Sequence, residues 1–139
     1  MASDTNINLR NQVMYSVYVR NHTPEGTFKA LEKDLPRIKQ MGVNVIWLMP
    51  IHPIGVVGKK GKLGCPYSIK DYRAVNPAYG TREDFVHLVD AIHGLGMKCI
   101  IDVVYNHTSK DSVPLRHYHN SKKSSASPHR FQKYTFFIS

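Results

Sequence analysis

The sequence has only two cysteines, Cys65 and Cys99, among its 139 residues. Two are too few for a disulfide scaffold or for a zinc site with paired ligands. We therefore expect free thiols, although spacing alone leaves a bridge between them open. The chain also has no apolar stretch near the roughly 18 residues that cross a bilayer, and residues 1–12 lack a basic-then-apolar leader. These absences predict a soluble, cytoplasmic protein with no membrane segment.

Acidic residues are missing from the end of the chain. All 10 of them lie at or before Asp111, so residues 1–111, with 14 of the 19 Lys and Arg, carry only +4 of the net charge of +9. The remaining 28 residues carry +5 and are rich in Ser, His and Lys. A strongly basic chain often binds nucleic acid, but these basic residues show no repeated or helical spacing. We expect no nucleic-acid partner, and we divide the chain into residues 1–111 and a basic tail, residues 112–139.

The first half of residues 1–111 predicts two strands separated by a helix. Residues 13–19 are β-branched and aromatic, as in a strand. Apolar residues then recur at helical spacing up to Gly42, where the helix ends: Phe28, Leu31, Leu35 and Ile38. Pro36 lies inside this helix and predicts a kink or a restart. Residues 43–50 form an almost continuous apolar run, typical of a parallel strand buried on both faces.

A second helix and a third strand follow a long loop, residues 51–79. Thr81 and Asp84 have the spacing of a capping box, and an apolar stripe runs from Phe85 to Ile92. Residues 97–104 are again apolar and strand-like. The order β-α-β-α-β predicts an α/β fold with parallel strands, in either a doubly wound sheet or an eight-fold barrel. The loop after the first strand, residues 20–26, lacks a glycine-rich phosphate fingerprint, which counts against a nucleotide-binding sheet.

Three ordered motifs indicate a barrel. Residues 102–108, DVVYNHT, resemble the first signature region of the α-amylase superfamily, glycoside hydrolase family 13, at the end of its third strand. Residues 42–51 resemble that family's second strand, and residues 67–81 its loop into the second helix. The resemblance implies a partial (β/α)₈ TIM barrel with its first three strands and two helices. It also implies a parent enzyme that hydrolyses α-1,4-glucans, starch or malto-oligosaccharides with retention of configuration.

The resemblance also implies roles for four residues. His107 would hydrogen-bond a sugar hydroxyl, and Tyr67 would stack on the sugar ring. Asn106 would offer an oxygen to a structural Ca²⁺, which prefers hard oxygen ligands. Asp102 would be a buried structural carboxylate near the site. Without this context, a strand-end Asn-His pair is more often a turn and a structural histidine, and Tyr67 a packed loop residue.

No catalytic residue is predicted. Retaining glycosidases need two carboxyl groups roughly 5 Å apart. In the family these follow later strands, whereas most carboxylates of this chain lie on or beside the two helices. The tail departs from the family pattern after about Ser112, which we attribute to a frameshift, with a truncated gene or an artificial product as alternatives. We therefore expect the isolated chain to be inactive.

Two further functions remain open. The chain could be a non-catalytic sugar-binding or interaction module that uses Tyr67 and His107, or an α/β domain whose basic tail binds nucleic acid. Three barrel strands also leave both sheet edges unpaired and one apolar face uncovered. Self-association of the chain is therefore expected.

Overall fold

The computed structural model describes residues 6–113, whose centre is a three-stranded sheet. The strands are β1 (Met14–Val17), β2 (Val45–Leu48) and β3 (Lys98–Ile101), and β2 pairs in parallel with both neighbours. Met14, Val45 and Lys98 lie side by side at one end of the sheet. The predicted parallel β-α-β-α-β arrangement is confirmed, and the sequential strand order is that of the start of a (β/α)₈ barrel.

Two long helices connect the strands on one face of the sheet. They are α2 (Phe28–Gln40) and α3 (Arg82–Gly94), and a four-residue helix, α1 (Val19–His22), follows β1. At the start of α3, the Thr81 side chain accepts a hydrogen bond from the Asp84 backbone N–H, and the Asp84 carboxylate accepts one from Thr81 N–H. The predicted capping box is therefore present.

Pro36 does not interrupt the first long helix. The sequence predicts a kink or a restart there, but α2 runs continuously through it. The residues on either side, Leu35 and Ile38, are fully buried. Burial of this apolar stripe holds both halves of the helix on the sheet, which offsets the hydrogen bond that proline cannot donate.

The core lies between the helices and one face of the sheet. Its fully buried side chains come from both long helices, β1 and β2: Val17, Leu31, Leu35, Ile46, Leu48, Leu88 and Ile92. Cys99 and Ile101 of β3 pack against this core and are partly buried. The opposite face is open, with exposed fractions of 57% for Met14, 39% for Trp47 and 44% for Ile100. Within residues 6–113 the sheet therefore has one covered and one uncovered face.

Several boundaries differ from the sequence prediction. Each strand has four residues, so β3 ends at Ile101 and Asp102 follows the strand instead of lying within it. A 3₁₀ turn, Ile7–Leu9, and helix α1 were not predicted, because segments this short carry little periodic signal. Apart from Ser112 and Val113, the predicted basic tail lies outside the described residues.

Two further sequence expectations concern the cysteines and membrane-spanning helices. Cys65 and Cys99 are both free thiols, as expected. Burial raises the pKa of the Cys99 thiol to about 11, whereas Cys65 is exposed. No helix in residues 6–113 is long and apolar enough to cross a bilayer.

Candidate functional site

The candidate site lies where the chain leaves β2 and β3. Parallel strands end at the same edge of a sheet, so the loop after Leu48 and the segment after Ile101 begin side by side. The backbone N–H of Asp102 continues the strand pairing and donates to the Leu48 carbonyl at 2.8 Å. In barrel enzymes this carboxyl edge is where functional side chains are placed.

Tyr67 and Asp102 meet at this edge. The Tyr67 hydroxyl donates a hydrogen bond to the Asp102 carboxylate at 2.9 Å, and both side chains are half-buried. The hydrogen bond to Asp102, followed by burial, raises the pKa of Tyr67, because the carboxylate favours the protonated phenol. Asp102 is thus paired, although it is less buried than the sequence suggested.

Tyr72 holds the backbone that carries the signature Asn-His pair. Its hydroxyl lies 2.8 Å from the Val104 carbonyl and 3.3 Å from the His107 carbonyl, so its single proton is directed mainly to Val104. The His52 ring lies 5.9 Å from the Tyr72 ring, and His52 Nδ1 lies 3.0 Å from the Ala74 carbonyl oxygen. Burial lowers the pKa of His52, which favours its neutral ring.

Asn106 and His107 are both exposed beside this anchored backbone. Nδ1 of His107 is in close contact with the Asn106 side-chain oxygen. A neutral imidazole that donates from Nδ1 keeps an acceptor at Nε2. Within residues 6–113, no hydrogen bond joins this pair directly to Tyr67 and Asp102. The site therefore consists of two separate pairs, Tyr67 with Asp102 and Asn106 with His107.

The segment after His107 is fastened along the Tyr67 loop. The Thr108 hydroxyl and the Ser109 N–H both donate to the Ile69 carbonyl, at 2.6 and 3.1 Å, and Val113 N–H donates to the Lys70 carbonyl at 2.8 Å. These bonds hold the residues that follow His107 against the loop that carries Tyr67.

Asp111 makes a further contact between the segment after β3 and the loop after β2. Its buried carboxylate accepts a hydrogen bond from the Val56 N–H at 3.2 Å. Burial by itself would raise the pKa of Asp111, but backbone N–H donors, Val56 first among them, outweigh it and lower the pKa. Asp111 therefore stays ionised and ties residues 55–57 to the segment after β3.

Asn106, the predicted calcium ligand, has few oxygen ligands around it in the described part of the chain. Ca²⁺ takes six to eight oxygen ligands. Residues 6–113 contain no group of three or more His, Cys, Asp or Glu side chains that could hold a metal ion. Asn106 supplies one amide oxygen, which already contacts His107. The residues described here do not by themselves fit a calcium site.

The fold and these motifs were compared with known proteins. The family model "Alpha amylase, catalytic domain" matches residues 3–138. The chain belongs to the α-amylase catalytic-domain family. The matched range includes most of the basic tail, and the division at residue 111 stays a prediction.

Relatives of this chain are named for several different activities. The chain is similar to a trehalose synthase of Thermus thermophilus, with 40% identity over 73% of this chain and 10% of the relative. It is also similar to a malto-oligosyltrehalose trehalohydrolase of Deinococcus radiodurans, with 41% identity over 73% of this chain and 16% of the relative.

A solved structure extends this likeness to the fold. An α-amylase from Lactobacillus plantarum has 54% identity and a TM-score of 0.79 over 81% of this chain and 26% of its own. The chain thus spans about a quarter or less of the length of these three proteins.

Sequence reasoning missed part of this α-amylase-family site. It named Tyr67, Asp102, Asn106 and His107, but Tyr72, His52 and Asp111 were not considered as functional residues. Their partners lie 22 to 55 residues away in sequence. A tyrosine five positions after Tyr67 in a long, aromatic loop was the one available signal for Tyr72.

Proposed function

We propose that this chain is the opening part of a retaining glycoside hydrolase that acts on α-1,4-glucans such as starch or malto-oligosaccharides. The observation that carries the proposal is the Tyr67–Asp102 hydrogen bond at the carboxyl edge of the sheet. This hydrogen bond holds the Tyr67 ring, in the loop between β2 and α3 (the β2 loop), beside the segment that carries Asn106 and His107. Its membership of the α-amylase family supports the same activity.

Tyr67 and His107 are the proposed sugar-binding residues. An aromatic face packs favourably against the C–H face of a sugar ring. The hydrogen bond to Asp102 fixes the phenol, so less side-chain freedom is lost when a sugar stacks on it. His107 is exposed, and its Nε2 can accept a hydrogen bond from a sugar hydroxyl when Nδ1 donates to Asn106.

We also propose that the 139-residue chain does not hydrolyse glucans alone. A retaining mechanism needs a nucleophilic carboxylate and a carboxylic acid on opposite sides of the scissile bond. The carboxylates near the site have local structural partners: Asp102 accepts from Tyr67, and Asp111 accepts from Val56 N–H. A further one, Asp71, accepts from the backbone N–H of Arg73 at 2.9 Å.

Calcium binding remains a proposal that concerns one residue. The Asn106 amide oxygen would be one ligand of a structural Ca²⁺, with the other oxygens supplied from outside residues 6–113. No step of the proposed chemistry depends on this ion. An Asn106→Ala variant whose calcium affinity equals that of the wild-type chain would rule out this role.

Hydrolysis of a chromogenic maltoside by the purified chain tests the main proposal. We expect no turnover above that of a mock purification. Turnover that is lost in His107→Ala, but kept in the matched control His93→Ala on α3, would show that this chain completes a catalytic site and would overturn the proposed inactivity. His93 is an exposed histidine in the last turn of α3.

A non-catalytic sugar-binding module is the second candidate, because Tyr67 is half-buried and His107 is exposed, so both are accessible. Titration with maltotriose, followed by calorimetry, tests sugar binding separately from turnover. Binding that disappears in Tyr67→Ala and His107→Ala, with no turnover, would favour this candidate. Turnover dependent on His107 would exclude it.

Three further proposals concern the chain itself. Self-association through the open sheet face is supported by the exposure of Met14, Trp47 and Ile100, and light scattering after size exclusion tests it.

A cytoplasmic location is supported by two free thiols, and cell fractionation tests it. A frameshift after about Ser112 predicts that another reading frame of the DNA continues the family pattern, and sequencing the gene tests it.

A further inference from the structure

A cavity lies between α1 and the loop that follows β2. It has a volume of about 330 Å³, and its walls come from the segment after β1, the β2 loop and the turn before α3. Its lining includes Arg20, Ile54, Leu63, Lys70, Asn76 and Tyr79. The cavity wall includes none of Tyr67, Asp102, Asn106 and His107. Its volume is at the lower end of the range for small-molecule pockets.

The charges on the cavity wall are positive. Arg20 and Lys70 line it, and no Asp or Glu does. Lys70 Nζ lies 3.9 Å from the Asp111 carboxylate, a long ion pair, and within residues 6–113 Arg20 has no carboxylate partner. Asp111 partly neutralises Lys70, so the net positive charge of this concave surface comes mainly from Arg20, and it attracts anions.

Arg20 is held in place with donors to spare. Its guanidinium carbon lies 4.8 Å from the centre of the Tyr18 ring. Two of its nitrogens make long hydrogen bonds, 3.3 Å to the Leu63 carbonyl and 3.4 Å to the Gly64 carbonyl. Its Nε is buried and has no hydrogen-bond partner within residues 6–113. A guanidinium has five N–H donors, so most of its capacity remains for another acceptor.

Two tyrosine hydroxyls near Arg20 are also buried. The hydroxyls of Tyr18 and Tyr79 lie near each other, and the Tyr79 hydroxyl also lies near the Asn76 side chain, but neither hydroxyl makes a hydrogen bond of normal geometry in the described part of the chain. Burial, followed by the neighbouring Tyr18 hydroxyl, raises the pKa of Tyr79, so its phenol stays protonated and can donate. Leaving a buried donor unpaired costs about 1–3 kcal/mol. An acceptor in this cavity would remove part of that cost.

We propose that this cavity binds a small molecule that carries an oxyanion, a phosphate or a carboxylate, on a body about the size of a monosaccharide. Arg20 and Lys70 supply the positive charge, and the Tyr79 hydroxyl and the Asn76 amide supply neutral hydrogen bonds. Ile54 and Leu63 provide the apolar wall against which the carbon body packs. The site is separate from the proposed glucan-binding residues and does not depend on them.

Calorimetric titration of the 139-residue chain with four probes tests the proposal. The probes are inorganic phosphate, glucose 6-phosphate, glucuronate and glucose. We expect at least one anionic probe to bind with one site per chain and with an affinity that falls as salt is added. Glucose 6-phosphate and glucuronate distinguish a phosphate ligand from a carboxylate ligand. Binding of neutral glucose alone, or of no probe at all, would overturn the proposal.

Matched variants locate the binding. Lys70→Gln should weaken the anion about tenfold, as expected for loss of one charge-assisted contact. Lys60→Gln makes the same charge change at an exposed lysine of the β2 loop that does not line the cavity, and it should leave the affinity for the anion within about twofold of the wild-type value. Equal weakening by both would indicate non-specific attraction to the basic loop and would overturn the proposal.

Tyr79→Phe provides a second variant that keeps the ring and removes only the hydroxyl. It should also weaken the anion severalfold, because one donor is lost. A Tyr79→Phe chain that remains folded by circular dichroism and binds as tightly as the wild type would contradict the proposed contact.

Discussion

Gly55 offers a sharp test of how the loops around the candidate site are held together. A Cβ at this position would lie 2.1 Å from Ser109 Cβ, 2.5 Å from Ser109 Oγ and 2.7 Å from the Asp111 carboxylate. Carbon atoms in contact normally lie about 3.5–4.0 Å apart. The backbone of Gly55 is not in the left-handed region, so alanine is excluded by space and not by conformation.

The Gly55→Ala substitution should therefore push the β2 loop away from residues 109–113. Overpacking of this kind costs about 1–3 kcal/mol. If this cost is confined to the loops, the equilibrium for local opening rises about fivefold to 150-fold. The amides of Ser109 and Val113 report on it, because they donate to the Ile69 and Lys70 carbonyls in the closed arrangement.

Native-state hydrogen exchange measures this opening directly. Exchange of the Ser109 and Val113 amides should accelerate in Gly55→Ala, whereas the core amides should change less. Gly94→Ala is the matched control, since Gly94 ends α3 and a Cβ there meets no atom within 4 Å. That control should leave the loop amides unchanged and should slightly stabilise the helix.

A double variant distinguishes steric contact from other effects. Gly55→Ala with Ser109→Gly removes the two closest colliding atoms, Ser109 Cβ and Oγ, and leaves the Asp111 carboxylate in place, so it should recover at least half of the lost protection. Unchanged exchange in Gly55→Ala, or no recovery in the double variant, would refute the packing described here.

Three further predictions concern the helices and the thiols. Thr81→Ala removes the capping box of α3 and should lower the free energy of unfolding by about 1 kcal/mol, measured in urea; an unchanged midpoint would contradict this role. The Arg37 guanidinium lowers the pKa of Asp34 from 3.8 to about 2; burial opposes this shift, and His22 adds to it. The stability that ionised Asp34 contributes is therefore present above about pH 4 and is lost as the pH falls towards 2. Asp34→Asn should therefore be less stable at neutral pH and lose less stability over that acid range, and a parallel pH profile would argue against the ion pair. At pH 8, iodoacetamide should modify exposed Cys65 before Cys99, whose burial raises its pKa to about 11. Mass spectrometry measures the order, and modification of Cys99 first would contradict this prediction.

The sequence by itself determined the order of the elements. Helical spacing from Phe28 to Ile38, the Thr81 and Asp84 pair and the two apolar runs are local patterns, and each depends on residues only a few positions apart. The parallel direction of the strands followed from the alternation of strands and helices, and the ordered motifs favoured a barrel over a doubly wound sheet. The ordered motifs also identified the family, which the match over residues 3–138 confirms.

The tertiary structure decided which loop residues meet. Tyr67 and Asp102 are 35 residues apart, and Val56 and Asp111 are 55 apart, so no local pattern links them. It also decided that α2 continues through Pro36, because buried neighbours on both sides outweigh a local preference. Periodicity reports which face of an element is apolar, whereas the contacts of a long loop depend on where the packed strands bring its ends. For that reason Tyr72, Asp111 and the Arg20 cavity became visible only when the chain was folded.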